Sequence, residues 1–475
     1  MSQAHDTSET AASSYPPPTS PTAAGPTRVR YGVMAFLLVL SFLTYFDRQC
    51  IVRVQGEIQR DLSISDNQLG LVFGAFWLAY ALFEIPGGWL GDRNGSRRTL
   101  TRIVLAWSVC TILTGFAAGF WSLLTFRFLF GVGEAGAFPN MARIQSTWLS
   151  PSARGRAGGM LWLAARWGGG FAPFLFAGLI RWVDHPATRA ALPFLGATSG
   201  WRVGFMIAGL VGLVWCVLFF TWFRDDPAAK PGVNAAELAL IRGDRTAGDA
   251  EGGHRVAPGV WRSLLRSRSL WAIAGYYIFA GFGWSFFVSW MPRYLQDVHG
   301  LKFAASESLW KQPLFYGGIS CLVGGVLSDR LVRATGRKWF GRAIFPIVGL
   351  TSAAAAIFAI RFVGDPGQAV FLLCLAGAAY DFGQGASWAS IVDVGGRSAG
   401  VAAGFINMLG NLSNAAQPRI GAFVFNNYGW DTLFTVYTGM FLIAASMWFL
   451  IDPTRTFHAE TEPVPEPQPH PEPVA

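Results

Sequence analysis

The sequence predicts an all-α membrane protein of twelve transmembrane helices in two pseudo-symmetric six-helix bundles. Three observations lead there. Of 475 residues, 52% are apolar and 14% charged, whereas a soluble domain carries roughly 25% charged residues. A chain this long therefore lacks the polar side chains to cover itself in water. Twelve apolar stretches of roughly 20 residues follow one another, the length a helix needs to cross a bilayer. Finally, a Gly-x-x-x-Asp-Arg signature occurs twice, beginning at Gly88 and at Gly325, 237 residues apart.

The same composition excludes other classes. Twenty tryptophans, 56 glycines and a mean hydropathy of +0.36 fit neither disorder, collagen nor a disulfide scaffold. The net charge of +9 could suggest nucleic acid, but its distribution does not. Lysine occurs only at 230, 302, 311 and 338, and the arginines cluster briefly between apolar runs rather than forming a basic stripe with stacking aromatics. The five cysteines are scattered singly, with no C-x-x-C pair, so neither a metal site nor a redox cofactor is expected.

Residues 1–27, rich in Ser, Thr, Pro and Ala, read as a disordered cytoplasmic tail. No basic n-region precedes a short apolar core there, so the run from Tyr31 is expected to stay as an uncleaved helix. The twelve spans fall near 31–52, 68–91, 99–119, 121–147, 156–181, 201–223, 269–296, 306–331, 341–361, 368–393, 398–425 and 429–451. Glycines and a proline interrupt the fourth (Gly131, Gly133, Gly136, Pro139) and the fifth (Gly168, Gly169, Gly170, Pro173). The expected units are a bundle over 28–223, a charged cytoplasmic linker over 224–268 with a short helical pattern near 235–241, a second bundle over 269–452, and a disordered cytoplasmic tail over 453–475. Loop arginines and lysines set the orientation. With the N-terminus inside, 23 lie on the inner side and 9 on the outer, which puts both termini in the cytoplasm of a multi-pass inner-membrane protein.

The segment after helix 2 reads Gly88-Trp89-Leu90-Gly91-Asp92-Arg93-Asn94-Gly95-Ser96-Arg97-Arg98, with a degenerate copy at Asp329-Arg330. This resembles the cytoplasmic loop motif of the major facilitator superfamily. Within that superfamily the chain looks like the anion:cation symporters, which carry sugar acids and related organic anions. The residues that carry this are Tyr45-Phe46-Asp47-Arg48 on helix 1, Ile85-Pro86-Gly87-Gly88-Trp89 on helix 2, Arg127, Gly131, Glu134, Ala135, Phe138 and Pro139 on helix 4, and Ala403-Gly404-Phe405-Ile406-Asn407 on helix 11. The resemblance runs from about residue 30 to 452.

An ionised group at mid-bilayer costs at least ~2.5–3.5 kcal/mol, so each one needs a reason. Arg143, Asp393 and Arg419 fall near helix ends, and Glu84 lies just before the Pro86-Gly87-Gly88 exit. Helix-end topology or pairing is the favoured reading of these four over a transport role, with Glu84 the ambiguous one. Arg127 and Glu134, seven residues apart, project from one face of helix 4. With Asp47 and Arg48 on helix 1 they make a neutral set able to exchange partners. Static ion pairs holding the helices together are the competing reading, and buried pairs stabilise poorly once desolvation is counted. If a substrate anion takes an arginine, the released carboxylate picks up a proton, which couples the two ligands. The resemblance implies the same roles: Asp47 and Glu134 as protonation sites, Arg48 as ligand to the substrate carboxylate, Arg127 as partner to Glu134, and Tyr45, Tyr80 and Asn407 along a polar cavity.

In the second half, Asn407, Asn411 and Asn414 form one polar stripe on helix 11, suited either to a hydroxyl-rich ligand or to bonds between helices. Gln384, Ser387 and Trp388 resemble a cavity wall, with Trp388 offering a face to a sugar ring. Arg166, mid-helix 5, departs from the related proteins. It is either a second cation for a dianionic substrate or the static partner of a cavity acid such as Asp381. No histidine lies in any predicted span, so a histidine proton relay is excluded.

The sequence thus leads to a non-enzymatic carrier, functional as a monomer in the bilayer. It imports an organic anion by proton symport: a sugar acid such as a hexuronate, aldonate or aldarate, or a related carboxylate. A proton-driven exporter and a transporter-like sensor are the alternatives. The loop residues Gly88, Asp92, Arg93, Gly95, Arg97, Asp329 and Arg330 are expected to latch the cytoplasmic face, their arginines and acids pairing across bundles.

Overall fold

In the computed structural model, residues 25–193, 196, 198–243, 259–301, 309 and 312–458 are described. Most of both expected tails, the middle of the linker and the start of the eighth span lie outside these residues. The first half holds α1 (Val29–Arg53), α2 (Asp66–Asn94), α3 (Ser96–Gly115), α4, α5 (Arg154–Asp184) and α6 (Gly200–Trp222). The second holds α7 (Arg268–Ser289), α8 (Gln312–Thr335), α9 (Lys338–Ala359), α10, α11 and α12. Two of these are built from two segments each: α4 from Phe120–Glu134 and Ala137–Trp148, and α10 from Pro366–Phe382 and Gln384–Gly395. α11 (399–428) and α12 (430–447) run on from one another except at Gly429, whose φ of 82° turns the chain.

Local chemistry explains the boundaries. Ser65 and Gln68 cap α2 reciprocally, Gln68 Oε1 accepting from the Ser65 N–H at 2.9 Å and Ser65 Oγ from the Gln68 N–H at 3.3 Å. Gly95, at φ 83°, makes the turn between α2 and α3. The expected break of α4 falls at 135–136. The expected break of α5 does not occur: the helix is continuous through Gly168–Gly170 and Pro173. Gly168 serves close packing instead, since a Cβ there would lie 2.4 Å from the Phe42 carbonyl oxygen of α1.

Helices of the first half pack as α1 on α5, α2 on α4 and α3 on α6. In the second half α7 packs on α11 and α12, α8 and α9 on α10, and α9 on α12. The two most extensive contacts between the bundles are α5 with α8 and α2 with α11, and the internal twofold exchanges one pair for the other. Their crossings are backbone-close. A Cβ on Gly88 would sit 2.1 Å from the Gly400 oxygen, and one on Gly325 would sit 2.3 Å from the Gly155 oxygen.

Both described ends of the chain lie on one face, here the terminal face. Asn234 and Glu237, in the short linker helix Ala235–Arg242 and its cap, hold Thr27 and the first N–H groups of α1, and Ser398 hydrogen-bonds His458. The Gly88–Gly400 and Gly155–Gly325 crossings are on this side of the bilayer.

Gly168→Val should overpack the α1–α5 contact at a cost of about 1–3 kcal/mol. The check is the thermal unfolding midpoint of detergent-purified protein, which should fall; an unchanged midpoint would contradict the close approach.

Candidate functional site

Arg48 comes from α1 and Glu134 from the last turn of the first α4 segment. They meet as Nε–Oε1 at 3.0 Å, with side chains 8% and 0% exposed. Four rings surround the guanidinium: Tyr80 at 4.3 Å, Tyr45 at 5.1 Å, Phe76 at 5.5 Å and Trp77 at 5.7 Å from the ring centres. Such faces attract a cation, yet being neutral they leave its charge to be matched by an anion. Glu134 Oε2 is buried with no hydrogen-bond partner among the described residues.

The expected pairing of Glu134 with Arg127 is not what forms. Seven residues of helix separate them by ~10 Å of rise, whereas Arg48 approaches from the neighbouring helix. Arg127 lies deeper in the first bundle, between Phe130 at 5.1 Å and Phe205 at 5.3 Å, beside Cys50 and Cys110. Asp47 is buried next to Trp107, within electrostatic reach of both Arg127 and Glu134. The two arginines and two carboxylates do form one neutral set, but connected through Arg48–Glu134.

Three contacts from the opposite bundle complete the centre. Glu84, which helix-end topology was expected to explain, is wholly buried on α2 and accepts a hydrogen bond from Asn411 Nδ2 of α11 at 3.0 Å, with Tyr80 and Asn407 beside it. The asparagine stripe splits, since Asn414 instead accepts from Ser285 of α7 at 3.0 Å. Arg166 of α5 donates to both oxygens of Asp381 of α10, at 2.9 and 2.7 Å, and stacks over Trp284 at 3.9 Å. Trp388 is fully enclosed in this conformation. Its Nε1 donates to Gln145 of α4 at 2.9 Å, and Phe138 and Trp162 meet it edge-on. It therefore lies between the bundles, while Trp162 and Tyr45 beside it are partly exposed. Ser387 hydrogen-bonds Tyr276 Oη at 3.0 Å.

At the terminal face the two loop-motif aspartates do the same thing on opposite sides. Asp92, ending α2, accepts from the N–H groups of Gly400 and Val401 at 3.2 and 2.8 Å, opening α11. Asp329, near the end of α8, accepts from those of Gly155 and Arg156 at 3.0 and 2.7 Å, opening α5. Each carboxylate thus sits on the positive end of a helix in the other bundle. The motif arginines do not cross, contrary to expectation. Arg93 stacks on Trp89, Arg97 donates to the Phe220 carbonyl within its own bundle, and Arg330 is exposed. Arginines outside the motif do cross: Arg154 lies 2.6 Å from Asp393, Arg143 donates to the Arg397 carbonyl, and Arg342 donates to the Pro151 carbonyl at 2.8 Å. Asp393 also meets Lys338 at 3.3 Å, and Arg342 meets Asp329 at 2.7 Å.

The sequence matches the Major Facilitator Superfamily over residues 37–418. The chain belongs to that superfamily. Among its relatives are organic-anion carriers matched along nearly their whole length. The "Probable sulfoacetate transporter SauU" of Cupriavidus necator is 30% identical over 438 residues, covering 92% of this chain and 96% of that one. The "Probable galactarate/D-glucarate transporter GudP" of Escherichia coli K12 is 29% identical, covering 92% and 96%. The "D-galactonate transporter" of Escherichia coli O6:H1 is 28% identical, covering 90% and 97%. The fold is that of the E. coli fucose:proton symporter FucP, with a TM-score of 0.67, 14% identity and coverage of 89% and 99%. The human organic anion transporter MFSD10 superposes with a TM-score of 0.64 at 15% identity, covering 89% and 100%. This superfamily member is therefore a multi-pass membrane transporter, and not an enzyme, and the relatives it matches are named for organic anions and sugar acids.

Asp92→Asn and Asp329→Asn should each weaken closure of the terminal face by about 0.5–1 kcal/mol, the worth of a charge at a helix end. Spin labels at positions 152 and 397 would report this as a two- to fivefold loss of the short-distance population. An unchanged distribution in both variants would contradict the latch.

Proposed function

We infer that the transporter imports an anionic sugar acid or related carboxylate together with protons, by alternating access. The observation that carries this is the Arg48–Glu134 ion pair, buried in a ring of aromatic faces. A pair of that kind adds little stability once desolvation is counted, so exchangeability is the better account of it. The relatives named for sulfoacetate, galactarate, glucarate and galactonate support the substrate class.

The cycle follows from charge balance. A substrate carboxylate displaces Glu134 from Arg48, and Glu134, deprived of its cation, takes a proton from the same side. Asp47 and Arg127 hold the remaining charges of the set. Tyr45, Tyr80, Asn407 and Asn411 present hydroxyls and amides to the hydroxyls of the sugar acid. One substrate charge and one proton leave the net charge of the centre unchanged, and the two bundles rock about it. Taking the arginine-rich terminal face as cytoplasmic places both termini inside, in the cell's inner membrane, and makes the described state the one closed toward the cytoplasm. The working unit is the monomer, and the coupling ion is the proton, with no cofactor.

Two variants in proteoliposomes test the assignment. Arg48→Ala should lower substrate affinity at least 100-fold. Glu134→Gln should keep counterflow exchange while losing accumulation driven by a pH gradient. Accumulation undiminished in both would refute it.

A further inference from the structure

A second ion pair stands at the same depth, and the cycle above leaves it unused. Arg166–Asp381 differs from Arg48–Glu134 in bridging the bundles, from α5 to α10. The Tyr45 and Trp162 rings link the two guanidiniums. Arg48 lies 5.1 Å from the Tyr45 ring, Tyr45 packs on Trp162, and Trp162 lies 5.4 Å from Arg166. Trp162 Nε1 and Tyr277 Oη, both near Arg166, are buried with no hydrogen-bond partner among the described residues. They are donors with no acceptor among the described residues, beside a cation with one exchangeable partner.

We propose that Arg166 and Asp381 form a second anion site. The preferred substrate is then a dianion, with one acidic group on Arg48 and the other on Arg166, and Asp381 is a second proton carrier. This rests on the reading that Arg48 takes a substrate carboxylate. An arginine keeps its charge throughout, so Asp381 can leave only when another anion arrives. The groups facing Asp381 are Arg166 from α5, the Cys321 thiol and Gly317 backbone from α8, Tyr276 from α7, Tyr45 from α1, and Tyr380 on its own helix. Of these only Arg166 is charged. Once displaced, the Asp381 carboxylate is left among neutral groups, and a proton from the substrate's side fills its vacant bond. Two substrate charges and two protons then replace two internal ion pairs, so the loaded and empty centres carry the same net charge. A monoanion would leave Arg166–Asp381 intact and the bundles tied at mid-membrane.

Matched probes isolate the second acid. Galactarate differs from galactonate, and sulfoacetate from isethionate, only in a carboxylate that becomes a hydroxymethyl group. Binding and proteoliposome exchange of each are measured for wild type, Arg166→Gln, Asp381→Asn and Arg48→Ala. Wild type should prefer the dianion of at least one pair by tenfold or more. Arg166→Gln should abolish that preference, leaving the monoanion within threefold. Asp381→Asn should tighten dianion binding, because Arg166 is then free, and should lower the protons moved per dianion from two to one. A merely structural pair would weaken binding in both variants, so the opposite signs exclude it even if one variant folds poorly. Equal wild-type affinity for monoanion and dianion, or equal loss in both variants, would overturn this inference while leaving the Arg48 assignment standing. Full binding by Arg48→Ala, or no binding of any probe by wild type, would overturn the underlying reading as well.

Discussion

An arginine in the middle of an apolar bundle cannot shed its proton, so an anion must always stand beside it. The rest of this transporter is arranged around that constraint. Arg48 satisfies it with Glu134, and Arg166 with Asp381. Aromatic rings around both guanidiniums exclude water and raise the electrostatic stakes without supplying negative charge. A carboxylate that must be replaced rather than merely lost makes binding and protonation two halves of one event.

The same helices carry the centre and the latch. α2 holds Glu84 at mid-membrane and Asp92 at the terminal face. α11 offers the N–H groups of Gly400 and Val401 to Asp92, and Asn411 to Glu84. α5 begins with Gly155 and Arg156, which Asp329 caps, and reaches Arg166 three turns on. Glycine-to-glycine crossings leave no soft side chains between these helices, so a shift at the centre is passed along as a rigid displacement. Each latch is a carboxylate on a helix end, a contact that separates cleanly when the bundles part.

Much of this was legible in the sequence because charge is so rare inside the membrane. The twelve helices, the duplicated loop motif, and the set Asp47, Arg48, Arg127 and Glu134 all followed from position and spacing. What was not legible is who pairs with whom. Helix rotation decides that Glu134 turns to Arg48 rather than Arg127, and no spacing within α4 encodes it. Glu84 looked like a helix-end residue because its partner Asn411 is 327 positions away. The motif arginines drew attention, yet the crossing contacts use the motif aspartates with backbone N–H groups, which carry no side-chain signature. Gly168–Gly170 read as a helix breaker, whereas the helix is continuous there and Gly168 admits α1. For Arg166, the acid partner weighed on sequence, Asp381, is the one found.

The central claim is that a substrate anion evicts Glu134 from Arg48 and leaves it protonated. Infrared difference spectra, taken as galactarate or galactonate binds to the reconstituted protein at constant pH, test this most directly. The account predicts that a protonated-carboxyl C=O band appears on binding and is diminished by Glu134→Gln. Anion binding that leaves every carboxyl ionised, or a band indifferent to Glu134→Gln, would contradict it.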